Sequence, residues 1–192
     1  MKKLSLSLNK ILVAFGILLS IVALFFFLAP GLIATETQSG ITATSILGLG
    51  GFLVGNHKMV TTATASTSTM TITVFAKGGM SYFVLISFIF LLIGLIFVVL
   101  SFFFSKESKL FAIVGATLIL IAAIFILLIK CGGTNITSLT YQNKTTDSNT
   151  TYADFIKDTK FGAGTICYFI FNLLGAISIL VGKFVPFKKL LK

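Results

Sequence analysis

Few residues in this 192-residue chain are equipped for chemistry. His57 is its one histidine, Cys131 and Cys167 are its two cysteines, and Asp154 and Asp158 form its closest carboxylate pair. An acid–base or nucleophilic mechanism would have to join His57 to those two aspartates, and nothing in their spacing does so. The cysteines lie too far apart for a metal knuckle, and His57 has no ligand partner nearby in sequence. No nucleotide or cofactor fingerprint accompanies them. The expectation is therefore a non-enzymatic protein with no catalytic, metal or cofactor-binding residue.

Cys131 and Cys167 are a candidate disulfide, because both fall at the ends of apolar runs on the same side of the chain. A bridge closing a loop of 37 residues would add about 3–4 kcal/mol in an oxidising compartment. Two unpaired thiols are the alternative. Asn172 is the only amide inside an apolar run. It suits a hydrogen bond to a neighbouring helix, with a polar station on a permeation path as the sharper reading.

The elements that carry these residues follow from hydropathy. The composition is 56 % hydrophobic and 10 % charged, against about 45–50 % and about 25 % in a soluble domain. Uncharged runs at 11–33, 81–104, 110–129 and 163–182 each have spanning length. The turn 105–109 between the second and third is too short for anything but an antiparallel hairpin. These runs predict an all-α membrane fold: one four-transmembrane-helix bundle with loops at 34–80 and 131–162 on one side.

Lysine counts orient it. Lys2, Lys3, Lys10, Lys106, Lys109, Lys183, Lys188, Lys189 and Lys192 crowd the two ends and the short turn. The positive-inside rule then places both termini in the cytoplasm and both long loops outside, in a plasma membrane. A net charge of +10 without a single arginine reads as topogenic and headgroup-directed charge rather than a nucleic-acid surface.

The first loop divides at residue 56. Gly-rich Ile41–Asn56 is too short to span and predicts a segment lying on the bundle's outer end. Val60–Ala76 is Thr-dense, with β-branched residues at many alternate positions from Ala63 to Val74, which predicts a small β structure, with a disordered Thr-rich tether as the alternative. The Thr/Asn-rich second loop reads as solvated, with a short amphipathic helix over 152–160 and Asn-x-Thr sequons at Asn135, Asn143 and Asn149.

Small residues mark contact faces on all four helices. They are Gly16 and Ser20 on the first, Ser87, Gly94 and Ser101 on the second, Gly115 and Ala116 on the third, and Gly175 and Gly182 beside Asn172 on the fourth. One such face could also join copies of the chain. A weak internal repeat accompanies them: Lys10, Gly16, Ala23, Phe26 and Leu28 recur 99 residues later, and Phe90, Leu92 and Gly94 recur 81 residues later.

In plan the chain resembles the claudin and peripheral-myelin-protein type of tetraspan protein. It shares short inner ends, a long first outer loop with β character and a shorter second loop. Ile46–Phe52 (Ile-Leu-Gly-Leu-Gly-Gly-Phe) stands where those proteins carry a Gly-Leu-Trp element, although this chain has no Trp and no first-loop cysteine pair. The outer loops hold about 40 % of the chain, more than connectors need, which predicts a scaffold, interaction or adhesion role through them. Lipid and a protein partner or further copies of the chain are the expected partners, with no nucleic acid. A small oligomeric pore or a transporter accessory subunit is the alternative.

Overall fold

The computed structural model describes residues 2–38, 41–64, 68–104, 107–142 and 144–185, with side chains from residue 8 onward and without that of residue 38. Lys106, the sequon at Asn143 and most of the basic tail lie outside the described residues. Six helices form: α1 (Lys2–Phe25), α2 (Leu49–Val54), α3 (Tyr82–Phe103), α4 (Ser108–Leu127), α5 (Tyr152–Ile156) and α6 (Ala163–Phe184). Seven strands accompany them: β1 (Pro30–Gln38), β2 (Ile41–Gly48), β3 (Asn56–Thr64), β4 (Thr69–Gly78), β5 (Ile136–Tyr141), β6 (Lys144–Thr150) and β7 (Thr159–Phe161).

The all-α expectation is therefore wrong. Both long loops fold into one seven-stranded antiparallel sheet of order β6-β5-β4-β3-β2-β1-β7. The expected strand at Val60–Ala76 is a hairpin, β3–β4, paired from Asn56↔Lys77 to Thr64↔Thr69. The segment expected to lie on the bundle's end instead supplies β2 and α2. The loop read as solvated holds β5, β6 and β7 beside the expected short helix α5. β6 is polar on both faces, and the apolar residues of β5 and β7 do not alternate, which hid these strands from hydropathy patterning.

The first apolar run also ends early. α1 stops at Phe25, a 3-10 turn covers Phe26–Leu28, and Ala29 turns extended (ψ 166°) before Pro30 opens β1. A residue preceding proline is pushed out of the helical region, so Leu32 and Ile33 become strand residues. Leu32 is fully buried there.

Four helical segments, Leu8–Leu28, Tyr82–Phe103, Ser108–Leu127 and Ala163–Phe184, are long and apolar enough to cross a membrane. The chain falls into two compact units: a helical unit (residues 1–24, 87–124 and 168–192) and a sheet unit (25–86 and 125–167). The helical unit is inside-out by the standards of a soluble protein. Phe15, Leu18, Ile96, Phe103, Leu110 and Leu174 are exposed, while Ser20, Ser87, Ser101 and Asn172 are buried. That distribution is what an apolar solvent selects.

Helix pairs in this unit meet through glycine. A Cβ on Gly16 would lie 2.6 Å from the Gly175 carbonyl oxygen, and one on Gly94 would lie 2.9 Å from that of Gly115. α1 thus packs on α6, and α3 on α4, at backbone contact. Gly182 extends the first seam toward Asn9 and Val13, and Ala116 is fully buried.

Candidate interaction surface

The sheet unit carries its core at the end where the helices join it. β1 enters there and β4 leaves there, β5 enters from α4, and β7 runs into α6. Leu32, Leu47, Ala76, Ile136, Tyr152 and Ile156 are buried at this end.

His57 is enclosed in the same core. Its ring stands edge-on to Phe52 (centroids 4.5 Å apart) and to Phe155 (5.3 Å). Nε2 lies 3.1 Å from the Gly79 carbonyl, so Nε2 carries the proton and donates it. Nδ1 is buried without a partner. Burial lowers the His57 pKa, against the smaller raising effect of the Gly79 and Gly78 carbonyls. Gly79 sits at φ 71°, and a Cβ there would come within 2.9 Å of Nε2.

Tyr152 donates its hydroxyl to the Ile129 carbonyl, and burial pushes its pKa up to about 12. Asp154 is instead exposed in the first turn of α5, where Thr151 caps the helix by accepting from the Asp154 N–H and donates its hydroxyl to Asp154 Oδ2, and Asp158 is exposed as well. A buried neutral imidazole and two solvated carboxylates do not assemble a catalytic set. Among the described residues, no cluster of His, Cys, Asp and Glu could hold a metal.

The remaining candidates fall elsewhere. Cys131 is exposed, Cys167 is partly buried, and both are free thiols, so the candidate disulfide is absent. Ser87 donates to the Ala122 carbonyl (2.7 Å) and lies 3.1 Å from the Tyr168 hydroxyl, joining α3 to both α4 and α6. Ser101 turns back onto the Val98 carbonyl of its own helix. Asn172 is fully buried, and neither amide atom has a hydrogen-bond partner. Ser20 Oγ is likewise unpartnered and stands at Gly175.

Neighbouring strands of the sheet differ in length. β4 pairs with β3 along its whole length but meets β5 only from Phe75↔Thr140 to Gly78↔Ile136. Thr69–Val74 therefore overhangs as an open edge, and every second residue turns an unpaired N–H and C=O outward. Along it runs a groove of about 410 Å³ lined by Met70, Ile72, Phe75, Thr140, Tyr141 and Gln142 among others, with no charged residue.

The sheet's other edges differ from it: β1 also overhangs its neighbour β7, over Thr35–Gln38, but carries exposed Glu36 there. β7 is three residues long, and Lys130 covers it, bonding the Thr159 carbonyl and standing over the Phe161 ring. β6 carries exposed Lys144 and Asp147, and its pairing with β5 is interrupted by a register shift. Short length, lysine and bulges are the ordinary protections of an edge strand, and the β4 overhang has none of them.

Sequence reasoning saw the alternation of Met70, Ile72 and Val74 but not the open edge. That property depends on β5 being shorter than β4, a comparison between segments some 60 residues apart. No protein-family model matches the chain, and no curated protein does either.

Proposed function

We propose that this chain is a non-enzymatic tetraspan protein of the plasma membrane, with both termini cytoplasmic, whose outward sheet makes homotypic contacts. The observation that carries the reading is the open overhang Thr69–Val74, which bears no charge, whereas the overhang of β1 carries Glu36. An edge of this kind adds a strand.

A second copy of the same edge is the partner that fits. A two-fold axis normal to the sheet pairs the strands antiparallel and places residues of equal parity opposite one another. Met70 then faces Ile72 of the second copy, and Thr71 faces Thr71, so apolar meets apolar and hydroxyl meets hydroxyl. With no charge on the edge, self-pairing meets no like-charge repulsion. Between copies in apposed membranes such pairing is adhesion.

The test uses Thr71→Cys and Ile72→Cys, each in a Cys131→Ser, Cys167→Ser background, with Lys58→Cys as an exposed control. Vesicles carrying the protein with its sheet outward should cluster, and at least one edge cysteine should form an interchain disulfide that the control does not. Ile72→Lys should disperse the vesicles. Crosslinking no greater than the control, with vesicles that stay apart, would refute the reading.

A further inference from the structure

At the lysine-rich end of the helical unit lies a second cavity, of about 340 Å³, to which α1, α3, α4 and α6 all contribute. It is unrelated to the sheet and independent of the adhesion reading. Its polar lining comes from Asn9, Lys10, Ser101, Ser108 and Lys183, and no carboxylate faces it. Two ammonium groups in one concave site of mixed polarity are arranged for an anion.

Lys183 is held in place. It donates to the Ser101 carbonyl and to Ser108 Oγ, both at 3.3 Å, and stands 5.4 Å from the centroid of the Phe102 ring. An ammonium has three donors, so one remains for a ligand. Lys10 is exposed at the rim and brings a second positive charge. Asn9 lines the cavity beside them. A phosphate satisfies the site with its anionic oxygens on Lys10 and Lys183.

The geometry points to a binding site for a phosphate ester, whether the headgroup of an anionic lipid or its soluble counterpart. Basic pockets between helix ends are where anionic headgroups lodge in membrane proteins. The volume lies in the lower range of small-molecule sites.

The probes are phosphatidylglycerol and phosphatidylcholine, each offered to the full chain in a neutral detergent and read by native mass spectrometry. The wild type should retain phosphatidylglycerol at least tenfold over phosphatidylcholine. Lys10→Gln, a rim substitution that leaves the helix seams intact, should lower retention at least threefold. Displacement by millimolar glycerol 3-phosphate would identify a soluble ligand as the occupant, and its failure would identify lipid. Equal retention of phosphatidylglycerol and phosphatidylcholine by the wild type, or no loss in Lys10→Gln, overturns the proposal.

Discussion

The buried histidine makes the sheet unit sensitive to acid in a way that can be worked through. His57 is neutral in the folded chain, with Nε2–H on the Gly79 carbonyl and the ring packed between Phe52 and Phe155. Burial holds its pKa below the ordinary value of 6.5. The open state therefore binds more protons than the folded one at any pH between the folded value and 6.5, and stability falls as pH falls through that window. The contribution is fully present above pH 6.5. Below it, each pH unit that still exceeds the folded value removes about 1.4 kcal/mol, or tenfold in the opening equilibrium.

Tyr152, the other buried titratable group in this core, has a pKa of about 12 and stays neutral throughout. Hydrogen exchange of the β3 and β4 amides is the assay, since core strands open only with the unit. Protection factors should fall by up to about tenfold from pH 6.5 to pH 5.5. His57→Gln, which keeps an amide donor for the Gly79 carbonyl, should flatten the profile at a cost of about 1–3 kcal/mol. A wild-type profile flat from pH 7.5 to 5, or an unchanged slope in His57→Gln, would refute the reasoning.

Further outcomes are expected. Gly115→Val should destabilise the helical unit by about 1–3 kcal/mol or more, because a Cβ there would stand 2.5 Å from Val98 Cγ2 and 2.7 Å from the Gly94 carbonyl oxygen; Gly48→Ala, with nothing within 4 Å of the added carbon, is the control, and thermal unfolding in detergent compares the two. Ser87→Ala should cost about 0.6–2 kcal/mol by breaking the link from α3 to Ala122 and Tyr168. Asn172→Leu should be neutral or stabilising in the same assay, since neither amide atom is paired; a loss above about 1 kcal/mol would show that the amide has a partner after all. Cys131 should react with a membrane-impermeant maleimide well before Cys167, and reducing agent should leave gel mobility unchanged.

The helices and the sheet differ in how far they could be read from the chain. A charge-free run of twenty residues declares itself locally, and so do the small residues of a lipid-embedded seam: Gly16, Gly94, Gly115 and Gly175 were marked by size and spacing, and the structure sets them at backbone contact. The sheet is non-local. Leu32 pairs with Phe161 and Phe75 with Thr140, partners that no window joins. β5 and β6 also lack the one-sided apolar pattern that betrays a strand, because β6 has no apolar residue and Ile136 and Leu139 of β5 fall on opposite faces. His57 was visible as a lone histidine, but the rings of Phe52 and Phe155 that make it a packing residue come from two different loops. The lysine cavity was hidden because its walls come from four helices.

The repeat in the sequence gains a physical meaning from how the halves meet. Gly16 and Gly115 are equivalent at a spacing of 99, and Gly94 and Gly175 at a spacing of 81. The contacts are reciprocal, Gly16 with Gly175 and Gly94 with Gly115, so the first helix of each half packs on the second helix of the other. The sheet unit repeats the exchange by itself: β1, which follows the first helix, pairs with β7, and β5, which follows its equivalent, pairs with β4. Two units showing the same exchange argue for two-fold pseudosymmetry by duplication. Positions that meet their own equivalents then lie on the axis, and there the halves have diverged. Ser87 and Tyr168 are equivalent and share a hydrogen bond. Asn9 and Ser108, Ser101 and Gly182, and Phe102 and Lys183 are equivalent pairs, and all six line the lysine cavity. Divergence at an axis converts a self-facing apolar contact into a polar site without disturbing the seams on either side, which is why the cavity sits where it does.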